Sequence, residues 1–413
     1  MRSLIVLFVF VGDFAWANDA QWRGPNRDGH YTVANLLTEW PDTGPDLLWR
    51  YENLDPGYGT VTVTDSQIFA VGTRSQKEIL TAMDLSGMVV WTLELGPSYE
   101  GDFPLARCTP TVVGGSVFVI TSAGTVVRAD AKSGAAIWSV DAYARYKGSW
   151  GIWGTSENLL VIDGKVIYTP GGDQTTMVAM SLENGETVWQ TPSLKDKSAY
   201  ASPAVFEHGG RTVITNVSAN YIFGVDLANG ELLWHYSYGT LEAPPVEWGA
   251  PYVNTITPVY REGHVYTTSG YNHVGAQFKL GSDGKSISVA WTDATLDTHH
   301  GGVVLVGDHI YGANWINNRN GKWCAINWQT GKPAYETAWQ TKGSIIAVND
   351  FLICYEEKNG HVALVKADPS EFKPVSTFQV KLGDGPHWSH PVVAGDNLYI
   401  RHGKALMVYR IAQ

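Results

Sequence analysis

The sequence predicts an all-β fold, an eight-bladed β-propeller built from four-stranded antiparallel blades. Three observations lead to this prediction. A strand-ending aromatic residue recurs at a regular interval, turns such as GG, GD and NG separate short β-branched runs, and the composition favours strands. The 413 residues include 44 glycines and 17 tryptophans, and only 17% of residues are charged. Such a composition suits many short strands joined by tight turns.

The repeat is visible where DAKSGAAIW, at positions 130–138, returns as SLENGETVW at 181–189 and DLANGELLW at 226–234. In each copy an aromatic residue closes a strand that follows a glycine turn. The closing aromatic residues are 42 to 57 residues apart, the length of a four-stranded blade with its turns. They are Trp49, Trp91, Trp138, Trp189, Trp234, Trp291, Tyr335 and, in the weakest copy, Phe378.

We predict a structural role for these closing aromatic residues. Each large ring can pack between adjacent blades, while the glycine of the turn adopts a backbone conformation that a bulky residue resists. They are therefore poor candidates for an active site.

The two ends of the chain are expected to close the ring. The last repeat stops at Gln413 without a fourth strand, and LLWRYE at 47–52 reads as a fourth strand with no three strands before it. Pairing the two completes an eighth blade and protects both edges from pairing with another chain. We therefore divide the chain into a signal peptide at 1–17, an N-terminal extension at 18–46 and one propeller domain at 47–413.

The N-terminus has the pattern of a secretory signal. Arg2 precedes an apolar run from Leu4 to Val11, and Ala15 and Ala17 flank Trp16 as in a cleavage site. We expect cleavage after Ala17 and a periplasmic or secreted protein. No later run is long and apolar enough to suggest a transmembrane segment.

Charge and cysteine content narrow the possible partners. The net charge of −11 argues against a nucleic acid, because an acidic surface repels phosphates. The three cysteines read as small buried hydrophobic residues, with a disulfide between Cys324 and Cys354 as the alternative. We expect a monomer.

The repeated segments RADAKSGAAIW, GVDLANGELLW and AINWQTGKPAY resemble the repeats of the PQQ-like β-propellers. That family includes the quinoprotein alcohol dehydrogenases and the outer-membrane assembly factor BamB. Over the whole mature chain, the resemblance is closer to the secreted bacterial PQQ-binding-like branch. The segments that carry it are QWRGPNRDG, HHGGVVLVGDHIYGANW and GPHWSHPVVAGDNLYIRHG.

In a propeller, ligands are accepted at the channel mouth, which the loops from the fourth strand to the next blade and from the second to the third strand surround. Several aromatic and basic residues fall in these loops. The candidate ligand-binding residues are Arg107, Trp150, Trp153, Trp248, His300, Trp315, His387, Trp388, His390 and Arg401. Together they suit a flat, anionic or sugar-like ligand, although the same side chains could instead fill the channel.

We assign no metal site from the sequence. His299 and His300 are adjacent on an extended segment and point to opposite faces, so they would not easily bind one ion. His300 with His387 or His390 is the more plausible pair.

The first functional hypothesis is an exported scaffold that binds a small molecule, a glycan or an envelope protein. The alternative, which the resemblance implies, is a PQQ-dependent alcohol or sugar dehydrogenase using Ca²⁺. This chain lacks the adjacent cysteines and the C-x-x-C-H haem motif of many such enzymes, and no calcium-ligand set can be matched. A polysaccharide-active enzyme is the third hypothesis, without a supporting motif.

Overall fold

A computed structural model describes residues 20–241 and 253–413, and it confirms the predicted eight-bladed propeller. We number the blades 1 to 8 in chain order and name the strands of each blade a to d. The strands of blades 1 to 4 are Thr62–Val63, Gln67–Arg74, Lys77–Asp84, Val89–Pro97; Thr111–Val113, Ser116–Ile120, Thr125–Asp130, Ala136–Asp141; Leu160–Ile162, Lys165–Tyr168, Val178–Ser181, Thr187–Gln190; Ala204–His208, Arg211–Val217, Ile222–Asp226, Leu232–Tyr236.

The remaining blades follow the same order. The strands of blades 5 to 8 are Val259–Arg261, His264–Thr267, Gly275–Leu280, Ile287–Asp293; Val303–Val306, His309–Ala313, Trp323–Asn327, Pro333–Thr337; Gly343–Val348, Phe351–Glu356, His361–Lys366, Pro374–Gln379; Val392–Ala394, Asn397–His402, Ala405–Arg410 and, as strand d, Leu47–Tyr51. The other elements are the short strands His30–Tyr31, Gly171–Gly172 and Asp196–Lys197, the helix Ala142–Arg145 and the 3₁₀ turn Tyr238–Thr240.

The core lies between neighbouring blades. Strands b and c are covered on both faces and read as nearly continuous apolar runs, as in Ser116–Ile120, where all five residues are buried. Strands d are outermost and alternate between covered and exposed positions, as in Val89–Pro97. Strands a are innermost and surround the channel.

The fourth-strand tryptophans contact the next blade in a repeated way. The indole of Trp91 lies over the turn at Gly134, and its Nε1 donates to the carbonyl of Ala131 at 3.1 Å. The same contact with a turn glycine and a carbonyl recurs at Trp138, Trp189 and Trp291. Trp49 likewise lies against Gly87 of blade 1.

Two closing residues depart from this contact. Trp234 is buried in the cluster between blades 4 and 5, but no turn glycine of blade 5 approaches it, and its Nε1 has no hydrogen-bond partner among the described residues. The turn of blade 5 has a different sequence there, GSDGKS. Tyr335 instead faces the ring of Phe372, with ring centroids 6.3 Å apart.

The predicted ring closure is confirmed. Leu47–Tyr51 pairs antiparallel with Ala405–Arg410, with Tyr51 opposite Leu406. Residue 52 lies just outside the strand. Phe378 of blade 7 packs against Gly44, in the turn that precedes the closing strand. The interblade contact therefore continues across the junction of the two termini.

The segment before the closing strand packs inside the propeller. Its backbone pairs with strand a of blade 2 at Ala20 and with strand a of blade 7 through His30–Tyr31. Val33, Leu36 and Trp40 then join the hydrophobic cluster of blades 7 and 8. A segment that reaches inner strands on several sides of the ring must lie across the channel, so residues 20–31 form a plug.

Two buried arginines fix this plug. Arg23 donates to the carbonyls of Val303 at 2.6 Å and Ile345 at 3.2 Å, in blades 6 and 7. Arg27 donates to the carbonyls of residues 158, 159 and 203, at the starts of blades 3 and 4. Burial lowers the pKa of each guanidinium to about 10, so both stay charged at neutral pH. The fixed fork of guanidinium donors suits carbonyls that converge on one axis.

The three cysteines are buried free thiols, so the alternative disulfide between Cys324 and Cys354 is wrong. Cys324 packs in the cluster between blades 5 and 6, and Cys354 packs between blades 6 and 7. Within the ranges described, no helix has the length and hydrophobicity needed to cross a bilayer. The expected signal peptide, residues 1–17, lies outside the described residues.

Candidate functional site

A cavity of about 620 Å³ lies at the channel mouth, among the loops that lead from strand d to the next blade. Its lining is mainly aromatic. The aromatic residues are Trp22, Tyr58, Phe103, Trp153, Tyr200, Tyr271 and Trp388. Trp22 belongs to the plug and also lines the space on the plug's other side, so it separates the two and forms the cavity floor.

The aromatic side chains form a connected wall. The ring of Trp388 lies 5.0 Å from Tyr58 and 5.5 Å from Phe103. Trp153 continues the wall, with ring centroids 5.6 Å from Tyr200. The Tyr200 hydroxyl accepts hydrogen bonds from the backbone N–H groups of residues 152 and 153, which fixes the loop that carries Trp153. Such a wall offers several ring faces for stacking.

Arg107 places a cation at the edge of this wall. Its guanidinium donates to the carbonyl of Trp153 at 3.0 Å and to carbonyls of its own loop, and it lies 5.4 Å from the ring of Tyr99. Burial lowers the pKa of Arg107 from its ordinary value. The guanidinium stays charged at neutral pH, and these contacts fix its position beside the cavity.

A buried charged group joins blades 6 and 7 at the same mouth. The ammonium of Lys342 donates to one oxygen of the Glu357 carboxylate, and the imidazole of His300 lies 3.2 Å from the other oxygen. Burial by itself raises the pKa of the Glu357 carboxyl, but the neighbouring imidazole of His300 and the ammonium of Lys342 outweigh it. The pKa of Glu357 therefore lies below its usual value, and the carboxylate is ionised.

His390 links the plug to the cavity as a neutral imidazole. Its Nδ1 lies 3.1 Å from Arg23 Nη1, so Nδ1 accepts, and its Nε2 donates to the carbonyl of His300 at 3.0 Å. Burial and the charge of Arg23 lower the pKa of His390 to about 3. Both ring nitrogens are thus engaged within the protein.

His299 lies beside His300 and also lines the cavity. Its Nε2 is 2.9 Å from the Tyr271 hydroxyl, while its buried Nδ1 has no hydrogen-bond partner among the described residues. Burial holds the pKa of His299 well below its usual value. The imidazole is therefore neutral.

The structure brings five of the candidate residues together. Arg107, Trp153, His300, Trp388 and His390 all line the mouth cavity. The other candidates lie elsewhere: Trp248 is outside the described residues, and Trp150, Trp315, His387 and Arg401 are not part of the cavity lining.

Those four side chains have contacts of their own. Trp150 stacks on Tyr143, with ring centroids 3.7 Å apart. Trp315 packs against Tyr271 at 5.0 Å, and its Nε1 donates to the side chain of Asn318. The positions of Trp150 and Trp315 in mouth loops correctly suggested that they lie near the mouth. Whether each ring faces the cavity depends on the side chains that it packs against, which the sequence does not reveal.

His387 and Arg401 join blades. The ring of His387 stacks on His402 at 3.6 Å, and its Nδ1 lies 2.5 Å from the Tyr355 hydroxyl. Burial, with a smaller contribution from the neighbouring His402, lowers the pKa of His387 to about 3. Arg401 is 1% exposed and donates to the carbonyls of residues 55, 59, 71 and 403, which connects blade 8 to blade 1.

Several lining residues were not among the candidates. Trp22 precedes the predicted propeller, so the sequence did not place it in the channel. The one signal for a buried position was its place beside Arg23 and Arg27 in QWRGPNR. Phe103 lies in the loop between blades 1 and 2, which the repeat marked as a mouth loop, whereas Tyr58 lies between the closing strand and blade 1. Lys342 and Glu357 lie opposite each other at the end of the hairpin formed by strands a and b of blade 7, next to the pair Gly343 and Glu356. His300 reaches Glu357 from the neighbouring blade, which no spacing in the sequence reveals.

The cavity does not suit a metal ion. No cluster of three or more metal-ligating side chains occurs in residues 20–241 or 253–413. The suggested pairing of His300 with His390 is unfavourable, because Arg23 and the carbonyl of His300 occupy both nitrogens of His390. His300 with His387 is equally unfavourable, because His387 lies outside the cavity lining.

PQQ with Ca²⁺ also fits poorly. Calcium takes six to eight oxygen ligands, including carboxylates. The carboxylate of Glu357, which lines this cavity, already binds the Lys342 ammonium and lies beside His300. A divalent cation there would meet that ammonium directly, so the donor set does not match.

Comparison with known proteins supports the family. The sequence matches, over residues 76–341, the family model described as outer membrane protein assembly factor BamB. BamB from Moraxella catarrhalis is 16% identical with a TM-score of 0.64, and the match covers 89% of this chain and 99% of that one. A europium-containing methanol dehydrogenase is 10% identical with a TM-score of 0.65, covering 95% of this chain and 91% of that one.

A quinohemoprotein alcohol dehydrogenase from Pseudomonas putida HK5 is 12% identical with a TM-score of 0.58, and the match covers 90% of this chain and 78% of that one. A search of curated proteins found no match. At these identities the structural likeness shows the fold alone. The family model covers more than half of the sequence, and the chain therefore belongs to the BamB-like family of PQQ-like repeat propellers.

Proposed function

We propose that this protein is an exported binding propeller that holds a saccharide ring in the mouth cavity. The observation that carries the proposal is the connected aromatic wall around a cavity of about 620 Å³ with charged groups at its edge. A cavity of this size holds a small ligand. Export rests on the N-terminal sequence and its signal-like pattern.

The aromatic wall suits the apolar face of a sugar ring. Trp388 and Trp153 both line the cavity and offer ring faces on connected parts of the wall. A sugar ring has one face rich in C–H groups, which packs on an indole, and hydroxyls around its edge. Each well-placed aromatic contact contributes about 1 kcal/mol.

The polar groups at the edge suit hydroxyls. Arg107 offers N–H donors, and the ionised carboxylate of Glu357 offers acceptor lone pairs. A hydroxyl both donates and accepts, so a cavity with donors and acceptors matches it better than it matches a purely apolar ligand.

Binding agrees better with the site than catalysis does. Hydrolysis of a glycosidic bond generally needs a carboxylic acid with a raised pKa beside a second carboxylate. Lys342 and His300 instead hold the pKa of Glu357 below its usual value. The dehydrogenase hypothesis is weakened by the poor match to calcium.

Titration of tryptophan fluorescence and calorimetry with a panel of mono- and oligosaccharides test the proposal. Trp388→Ala should weaken binding about fivefold, because one stacking contact of about 1 kcal/mol is lost. Trp339→Ala is the matched control: Trp339 is also a half-buried loop tryptophan, but it packs on Trp323 and Phe372, away from the cavity lining, so the saccharide affinity of this variant should stay unchanged.

Three outcomes would contradict the proposal. The first is that no saccharide binds saturably. The second is an equal loss of affinity in the two variants. The third is saturable binding of PQQ with Ca²⁺ accompanied by dye-linked alcohol oxidation, which would establish the dehydrogenase instead.

A further inference from the structure

A second cleft, of about 610 Å³, adjoins the mouth cavity. The two spaces share the side chains of Ile152, Tyr200 and Val253, so they are neighbours across one wall. The second cleft carries three lysines, Lys147, Lys195 and Lys197, in contrast to the aromatic lining of the first.

The three ammonium groups are available to a ligand. All three lysines are exposed, and none forms an ion pair with a carboxylate among the residues the structure describes. The cleft also contains Asp173, which is exposed, and Asp196, which is buried. Three lysines and two aspartates leave one excess positive charge, in a chain whose net charge is −11.

The acidic side chain between two of the lysines, Asp196, is buried and already hydrogen-bonded within the protein. Asp196 accepts hydrogen bonds from the hydroxyl of Ser218 at 2.6 Å and from the backbone and side chain of Asn220. The exposed charges of the cleft are therefore the three lysines and Asp173.

The loops that carry the lysines are held together. Lys197 lies opposite Gly171 in a short antiparallel ladder, and the backbone N–H of Ser198 donates to the carbonyl of Ser149 at 2.7 Å. Lys147 and Lys195 adopt left-handed backbone conformations, with φ of 48° and 54°. Such values are uncommon for residues other than glycine, so the surrounding contacts fix both positions.

We propose that the lysine cleft binds the anionic groups of an acidic oligosaccharide whose adjoining ring occupies the mouth cavity. The inference rests on the proposed function, because the cavity must first hold a sugar ring. A chain of linked rings would extend from the aromatic cavity past Tyr200 into the cleft. There, carboxylates or sulfates would pair with the three ammonium groups.

The test compares the triple variant Lys147→Gln, Lys195→Gln, Lys197→Gln with a control that changes the charge equally. The control replaces Lys132, Lys332 and Lys373 by glutamine; these lysines are exposed and lie in the turns between strands c and d. Calorimetry measures the affinity of each protein for a monosaccharide, a neutral oligosaccharide, an oligouronate and a sulfated oligosaccharide.

The cleft variant should bind an acidic oligosaccharide at least tenfold more weakly than the wild type, and the control should retain wild-type affinity. Monosaccharide affinity should stay the same in all three proteins. Added salt should weaken the wild type's binding of the acidic ligand more than the cleft variant's, because salt screens exposed charge pairs. The stronger of the two acidic ligands identifies the anion.

Equal affinity of the wild type and the cleft variant for both acidic ligands would overturn the inference while leaving the proposed function in place. Failure of every saccharide to bind the wild type would overturn the proposed function itself. The melting temperature of the triple variant is measured alongside. Should it fall, the single variant Lys195→Gln provides the same comparison with a smaller change.

Discussion

Replacing Gly134 by alanine tests whether the fourth-strand tryptophans stabilise the ring by docking on the next blade. Gly134 has a φ of +73°, and a Cβ built there would lie 2.6 Å from the indole of Trp91. Gly210 offers a matched control, because it has the same φ of +73° and no atom within 4 Å of the added Cβ. The two alanine variants therefore differ in the indole contact and share the backbone strain.

The expected magnitudes follow from these distances. The left-handed conformation costs an alanine about 1–2 kcal/mol at either position. At Gly134 the indole must also shift, which adds about 1–3 kcal/mol of overpacking and weakens the hydrogen bond from Trp91 to the carbonyl of Ala131. We expect a loss of about 1–2 kcal/mol for Gly210→Ala and about 3–5 kcal/mol for Gly134→Ala.

Differential scanning calorimetry measures the effect. An unfolding entropy of about 2.1 cal/mol/K per residue gives about 0.9 kcal/mol/K for a chain of this length. The melting temperature should thus fall by about 1–2 °C for the control and by about 3–5 °C for Gly134→Ala. Equal decreases in the two variants would refute the docking argument, because the indole contact would then contribute nothing to stability.

Three further predictions concern pH, the buried arginine and the thiols. The pKa of His390 is lowered to about 3 in the folded protein and is near 6.5 when unfolded, so its contribution to stability is complete above pH 6.5 and decreases as the pH falls towards 3. The wild type loses this contribution on acidification and His390→Gln does not, so the difference in melting temperature between them should decrease by about 2 °C from pH 6.5 to pH 5. A difference that stays constant over this range would contradict the predicted role of His390. Arg401→Lys loses hydrogen bonds to carbonyls of blades 8 and 1, so it should lower the melting temperature by about 2–4 °C and leave saccharide affinity unchanged. A loss of affinity without a change in melting temperature would instead show that Arg401 binds the ligand. Ellman's reagent should find no reactive thiol in the native protein and three after denaturation; rapid reaction of native protein would show that a thiol is accessible.

The candidate site was only partly predictable. Trp153, Trp388 and His300 line the cavity as the loop assignment suggested, since a propeller brings those loops to one end of its axis. His387 and Arg401 lie in the same loops or beside them, but their rings and donors are used between blades. A basic or aromatic residue in a loop can face the channel or a neighbouring blade, and sequence spacing does not distinguish the two.

The sequence by itself determined the number of blades, their strand pattern and the pairing of the two ends, because each blade forms from local hairpins whose glycine turns and closing aromatic residues recur along the chain. Only the tertiary structure decided that residues 20–31 plug the channel and that Trp22 forms the cavity floor. It also decided that His300 meets the pair of Lys342 and Glu357. The plug contacts join residues far apart in the chain, and the contact of His300 with Glu357 joins two neighbouring blades. Their geometry depends on the closed ring, whereas the repeat depends only on neighbours in sequence.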